Sequence, residues 1–231
     1  MKRTLTTSSL LLVSGLLLMT STGMAQPSEG RPLQRPPSLL KRSGAAPTTV
    51  ELFISVGLDS LDATYYVPPF PPPDSNGYPG MIFVHGFGGD KSWDTASAAI
   101  RGALGYVSLC YSVRAHGKSS GSSSIMGPSE RSDLARVVEF LRNLPEVNPD
   151  RIGIQGGSQG GLHSLWAVAD SLPVRAASGD VITPHWASDM FVNGAIRHTL
   201  TFLLQTPSVR YGPGRDSLWD LVRDDEYDLL R

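Results

Sequence analysis

Twenty lysines and arginines stand against twenty-one aspartates and glutamates in this 231-residue chain. The formal charge of −1 gives no electrostatic reason to expect nucleic acid or an anionic membrane surface as a partner. The length holds one sizeable core, the composition excludes disorder throughout or a collagen-like repeat, and a lone cysteine, Cys110, excludes an internal disulfide and a cysteine-based zinc site.

The first residues read as an address. Lys2 and Arg3 precede an apolar run from Leu10 to Met19, broken only by Ser14 and Gly15, and Gly23-Met-Ala25 supplies the small residues that a signal peptidase reads. The run is too short for a comfortable membrane span. Residues 1–25 are therefore expected to be a signal peptide cleaved near Ala25-Gln26. The mature protein would be exported to a bacterial periplasm or beyond, with no stable membrane association. Residues 26–48, rich in Pro, Ser and Arg, read as a linker.

Thr49–Val56 has the β-branched and aromatic content of a strand, and Ala63–Val67 reads as its partner across a turn at Gly57–Ser60. Pro68–Pro73 must lie outside the sheet, because proline donates nothing to a ladder. Met81–Val84 and Tyr106–Tyr111 are short continuous apolar runs, as expected of strands covered on both faces. The first leads into His85-Gly-Phe-Gly-Gly89, with a helix expected over Trp93–Leu104. The second contains Cys110, read as a buried structural thiol, and ends in Arg114-Ala-His-Gly-Lys-Ser-Ser-Gly121. Ser129 can cap a helix whose apolar face is Leu134, Val137, Val138 and Leu141, and Asn148-Pro-Asp150 makes a turn.

A strand at Ile152 and Ile154 then runs into Gly156-Gly157-Ser158-Gln159-Gly160, followed by a helical apolar stripe at Leu162, Leu165, Trp166 and Ala169. Strand, sharp turn and helix are the context in which a G-x-S-x-G string works as a nucleophile elbow. A serine at such an apex is held in a strained backbone conformation with no room for neighbouring Cβ atoms, which is the physical purpose of the glycines around it. The alternative is a glycine-rich turn that only lets the helix pack closely. Val174–Ala177 is the next strand, ending at Ser178-Gly-Asp180. Two helices, Phe191–Leu204 and Ser217–Leu230, follow around a Tyr211–Arg215 turn. Strands alternating with helices predict an α/β fold with a mainly parallel sheet and an antiparallel pair at its start.

The His85 turn, the Arg114 loop, the Asn148-Pro-Asp-Arg-Ile-Gly-Ile segment and the Gly156 elbow together resemble an α/β-hydrolase over roughly residues 49–180. Val174-Arg-Ala-Ala and Trp186–Arg197 are similar to the Xaa-Pro dipeptidyl-peptidase (S15) and cocaine-esterase group, which inserts a helical cap after the sixth strand. Residues 181–231 would be the start of that cap. The Gly156–Gly161 string is equally similar to acetyl xylan esterase and cephalosporin-C deacetylase relatives.

The resemblance implies Ser158 as nucleophile and the backbone N–H groups of Phe87 and Gln159 as oxyanion donors. His85, Gly86, Gly156 and Gly160 would shape the supporting loops. The substrate would be a small ester or peptide, with neither metal nor organic cofactor required. In the family an acid and then a histidine follow on later loops, whereas this chain reaches Arg231 with no further strand to carry them. Asp180 is the local candidate for the acid and Asp189 a weaker one. His163 should point away from the serine, His185 and His198 lie in the cap-like region, and His116 reads as a surface residue. The expectation is the N-terminal part of an exported serine hydrolase. An inactive binding module or remnant, and a deacetylase of carbohydrate or antibiotic esters, are the alternatives.

Overall fold

The computed structural model describes residues 45–182 and 196–223. The signal segment, nearly all of the linker, His185, Asp189 and the end of the last helix lie outside the described residues. Six strands form one sheet in the order β1-β2-β4-β3-β5-β6: β1 Thr48–Val56, β2 Asp59–Val67, β3 Tyr78–Val84, β4 Val107–Tyr111, β5 Val147–Gly157 and β6 Ala176–Asp180. The pairs β1/β2 and β2/β4 are antiparallel; β4/β3, β3/β5 and β5/β6 are parallel.

The helices are α1 Thr95–Ala103, α2 Pro128–Arg142, α3 Gln159–Ala169, α4 Ile196–Gln205 and α5 Arg215–Arg223. None of those described is long and apolar enough to cross a membrane.

The alternation of β3 sorts its side chains between two layers. Ile82 and Val84 enter the larger core with Leu134, Val137, Val138 and Leu141 of α2, whereas Phe83 packs with Cys110, Tyr66 and Ala98 of α1 on the other face. Each fully buried α2 side chain contributes about 1.5–3 kcal/mol. Burial pushes the Cys110 thiol up to about 12, so it stays protonated and inert.

Several boundaries differ from the sequence expectation. The first hairpin turns more tightly than expected, at Gly57-Leu58, where Gly57 takes a φ of +72°. Ser129 does not cap α2. Gly127 holds the cap, Pro128 fills the first helical position that its fixed φ suits, and Glu130 reaches back to the Gly127 N–H at 3.2 Å. Asn148-Pro-Asp150 is a register shift inside β5 rather than a turn before it, held by the Asp150 N–H donating to Asn148 Oδ1 at 3.0 Å.

The apolar stripe of α3 is only half-buried, with Trp166 packed against the larger core. Gly160, His163, Ser164 and Ala167 meet the sheet, while Leu162, Leu165, Trp166 and Ala169 line an open groove with Ala177 and Gly179 of β6. At its first turn the helix lies so close to the strands that Gly160 and Gly161 leave no room for a Cβ. Strand β6 is exposed along its whole length and pairs with β5 alone among the described residues.

Candidate active site

Parallel strands β4, β3, β5 and β6 present their carboxyl ends side by side, the place where open α/β sheets put ligands. Ser158 stands there, solvent-exposed, between the end of β5 and the first turn of α3. Its backbone (φ 53°, ψ −116°) is in the left-handed half of the map, where a non-glycine residue is strained. The Ser158 N–H donates to the Asp180 carbonyl at 2.8 Å, which ties the apex to β6.

The glycines explain how the strain is held. A Cβ on Gly156 would lie 2.6 Å from the Gly160 Cα, and one on Gly160 would run into the Val84 carbonyl, 2.7 Å from its carbon. Gly157 has no such neighbour; its nearest contact would be an ordinary 3.9 Å. The two glycines that define the motif are thus required by close approach, and the one between them is not.

The turn after β3 abuts this apex. A Cβ placed on Gly86 would be 3.7 Å from Ser158 Cβ and 3.8 Å from the Gly157 carbonyl oxygen. The Phe87 N–H has no acceptor among the described residues, and the Gln159 N–H, first in α3, has none within its helix. Gln159 follows the serine at the positive end of the helix dipole, and Phe87 follows Gly86, the residue that abuts it.

His85 braces this turn. Its Nε2 accepts from the Val113 N–H at 2.9 Å, so Nδ1 carries the proton and donates to the Gly86 carbonyl at 2.7 Å. Burial lowers its pKa to about 3 and keeps it neutral. His85 therefore ties the turn after β3 to the loop after β4 through both ring nitrogens.

His116, expected at the surface, is fully buried. Its ring lies 5.2 Å from both His85 and Phe87, because the loop after β4 folds inward beneath the turn after β3. Arg114 anchors that loop: Nε and Nη2 donate to Asp133 of α2 at 2.8 and 2.7 Å, and Nη1 pairs with Asp59 of β2. His163 is also fully buried, its Nδ1 donating to the Gln159 carbonyl at 2.8 Å. It points away from the hydroxyl.

Asp180 ends β6 with its side chain exposed. Among the described residues no histidine is hydrogen-bonded to Ser158 or Asp180; His198 is exposed on α4. No group of three His, Cys, Asp or Glu among them is placed to hold a metal ion.

Two contributors escape the sequence reading. Glu130 looks like a surface residue of α2 but is buried, accepting from Ser123 Oγ at 2.9 Å and the Ser124 N–H at 2.8 Å. Trp93, expected only to open a helix, ends a short 3-10 turn, Lys91–Trp93, against the turn after β3. The string Gly88-Gly89 ahead of it was the available signal, since adjacent glycines leave room for a ring.

Residues 57–217 match the family described as X-Pro dipeptidyl-peptidase (S15 family). The chain is 27% identical over 144 residues to the quorum-quenching protein AidA of Acinetobacter baumannii, covering 61% of this chain and 47% of that protein. It thus spans about half the length of that curated relative.

Among solved structures, the acylaminoacyl peptidase of Pyrococcus horikoshii superposes with a TM-score of 0.51 at 22% identity, covering 65% of this chain and 25% of that one. The carboxylesterase EstE1, cloned from a metagenomic library, gives 0.52 at 18% identity, covering 80% and 66%. At these identities the two structures bear on the fold.

Proposed function

We propose, for a chain that belongs to the X-Pro dipeptidyl-peptidase (S15) family of α/β-hydrolases, that it is a hydrolase of the esterase or peptidase kind acting through an acyl-Ser158 intermediate. The observation that carries this is the strained, exposed Ser158 at the apex of a turn that closes only with glycine at 156 and 160. Strain of this sort persists where the surrounding structure over-determines it, and it gathers at active sites.

In the reaction Ser158 Oγ attacks the scissile carbonyl carbon and gives up its proton to a base. The oxygen of the tetrahedral intermediate accepts from the Phe87 and Gln159 N–H groups, and each such donor is worth about a hundredfold or more in rate. Collapse expels the alcohol or amine, which takes that proton back from the base, and leaves the acyl-enzyme, which water then hydrolyses. The base is proposed to lie outside the described residues, since the described histidines of the core are committed to backbone carbonyls. Asp180 is the proposed acid at the end of β6, and the chain is proposed to be the N-terminal part of the working enzyme.

A fluorophosphonate probe tests this reading. Covalent labelling that disappears in Ser158→Ala supports it. A serine lacking an activating base should react very slowly, so absent labelling would favour an inactive binding module. Export belongs to the same proposal: the mature protein should begin at Gln26 by N-terminal sequencing, and an intact Met1 on secreted material would contradict it.

A further inference from the structure

Trp93 is a large aromatic residue that the fold holds firmly and leaves 64% exposed. The short turn that carries it is tied down at the two residues before it. The Asp90 carboxylate accepts from the Ser92 N–H at 2.8 Å, the Lys91 N–H donates to Ser112 Oγ at 3.1 Å, and Lys91 Nζ pairs with the buried Asp62 at 2.7 Å.

The indole lies against the oxyanion loop. A Cβ on Gly89 would meet Cδ2 and Cε3 of the ring at 2.7 Å, so the ring covers Gly89 with one face. Its Cζ3 edge and Ser158 Cβ are each 3.7 Å from the same point, the position of a Cβ on Gly86. An exposed indole on a rigid base, next to the nucleophile and the oxyanion turn, has the form of a recognition surface: a large apolar contact that costs little side-chain entropy to immobilise.

We infer that Trp93 is a substrate-binding platform beside Ser158, which takes an apolar ring adjoining the scissile carbonyl. The ring stacks on the solvent side of the indole, and its carbonyl then points toward the Phe87 and Gln159 amides. This deepens the reading of Ser158 as nucleophile and rests on it for the identity of the bound group. It assigns Trp93 to ring selectivity rather than to the bond-breaking step.

The test uses the full chain and an unreactive probe, N-benzylacetamide, with N-propylacetamide as its ringless counterpart. Titration is followed at the indole N–H cross-peak of Trp93, assigned by its loss in Trp93→Phe, and affinities in every variant, including those that lack the indole, are measured by isothermal titration calorimetry. The cross-peak should shift saturably, and N-propylacetamide should bind at least about threefold more weakly. Trp93→Ala should weaken N-benzylacetamide about three- to tenfold, with Trp93→Phe intermediate. Phe53→Ala, an exposed aromatic on the far edge strand β1, should change nothing.

A cross-peak that does not move, or equal affinity in Trp93→Ala, overturns the inference. Fluorophosphonate labelling separates this failure from that of the catalytic reading. A labelled Ser158 with a silent Trp93 removes the platform alone. A responsive Trp93 with an unlabelled Ser158 removes the hydrolase and leaves a ring-binding site.

Discussion

Gly160→Ala is expected to be the most damaging single methyl group that can be added to this protein. The new Cβ would enter the Val84 carbonyl, 2.7 Å from its carbon and 3.1 Å from the His85 oxygen, so backbone and not a flexible side chain must move. Strand β3 is in the middle of the sheet, paired with both β4 and β5, and cannot retreat without breaking ladder hydrogen bonds. Steric insertions of this kind fall in the exceptional range, about 4 kcal/mol or more, which is a large share of a typical domain's stability. Gly86→Ala is the matched comparison, because its Cβ would find only contacts of 3.7 Å and longer. Urea denaturation should show a severe loss for the first variant and a small one for the second; equal midpoints would mean that α3 does not approach β3 as described.

The second large effect is acid destabilisation that begins well above the carboxylate range. Burial lowers the pKa of His85 to about 3 and of His163 to about 4, from 6.5 when unfolded. Burial also lowers that of His116, against the pull of Glu130 and Asp90 and with the help of Arg210. The Nε2 atoms of His116 and His163 have no partner among the described residues, so a second ring proton would meet nothing that accepts it.

Since each folded value lies below the unfolded one, the unfolded chain binds more protons as pH falls. The stability is therefore complete above about 6.5 and is lost between 6.5 and the folded values. His85 and His163 together give a slope approaching about 3 kcal/mol per pH unit near pH 5, and His116 adds to it in the same sense. Thermal unfolding from pH 8 to pH 5 should show a melting temperature nearly flat at first and then falling steeply. His163→Gln should flatten that fall by about 1.4 kcal/mol per pH unit. A melting temperature constant down to pH 5 would mean that these rings are not buried as neutral groups.

Much of the architecture is legible in the residues themselves. The apolar runs at Met81–Val84 and Tyr106–Tyr111, the periodic face of Leu134, Val137, Val138 and Leu141, and the antiparallel start of the sheet follow from side-chain periodicity, which is a local property. The elbow is local too. Gly-x-Ser-x-Gly between a strand and a helix specifies a turn, and Gly156 and Gly160 are the residues whose missing side chains let it close. The boundaries were less legible: Pro128 and Glu130 moved the cap of α2 to Gly127, and the irregularity at Asn148–Asp150 was absorbed into β5.

What the sequence by itself determined is therefore the order of elements, the elbow and the family of folds, all carried by neighbours along the chain. What only the tertiary structure decided is which side chains meet. It buried His116 between His85 and Phe87, withdrew Glu130 from solvent, left the apolar stripe of α3 only half-buried, and left Trp93 open beside Ser158. Those outcomes depend on how near separate strands and helices come to one another. That distance is set by packing across the sheet, where two glycines of α3 draw the helix onto the strands, and it is not written in the periodicity of any one segment.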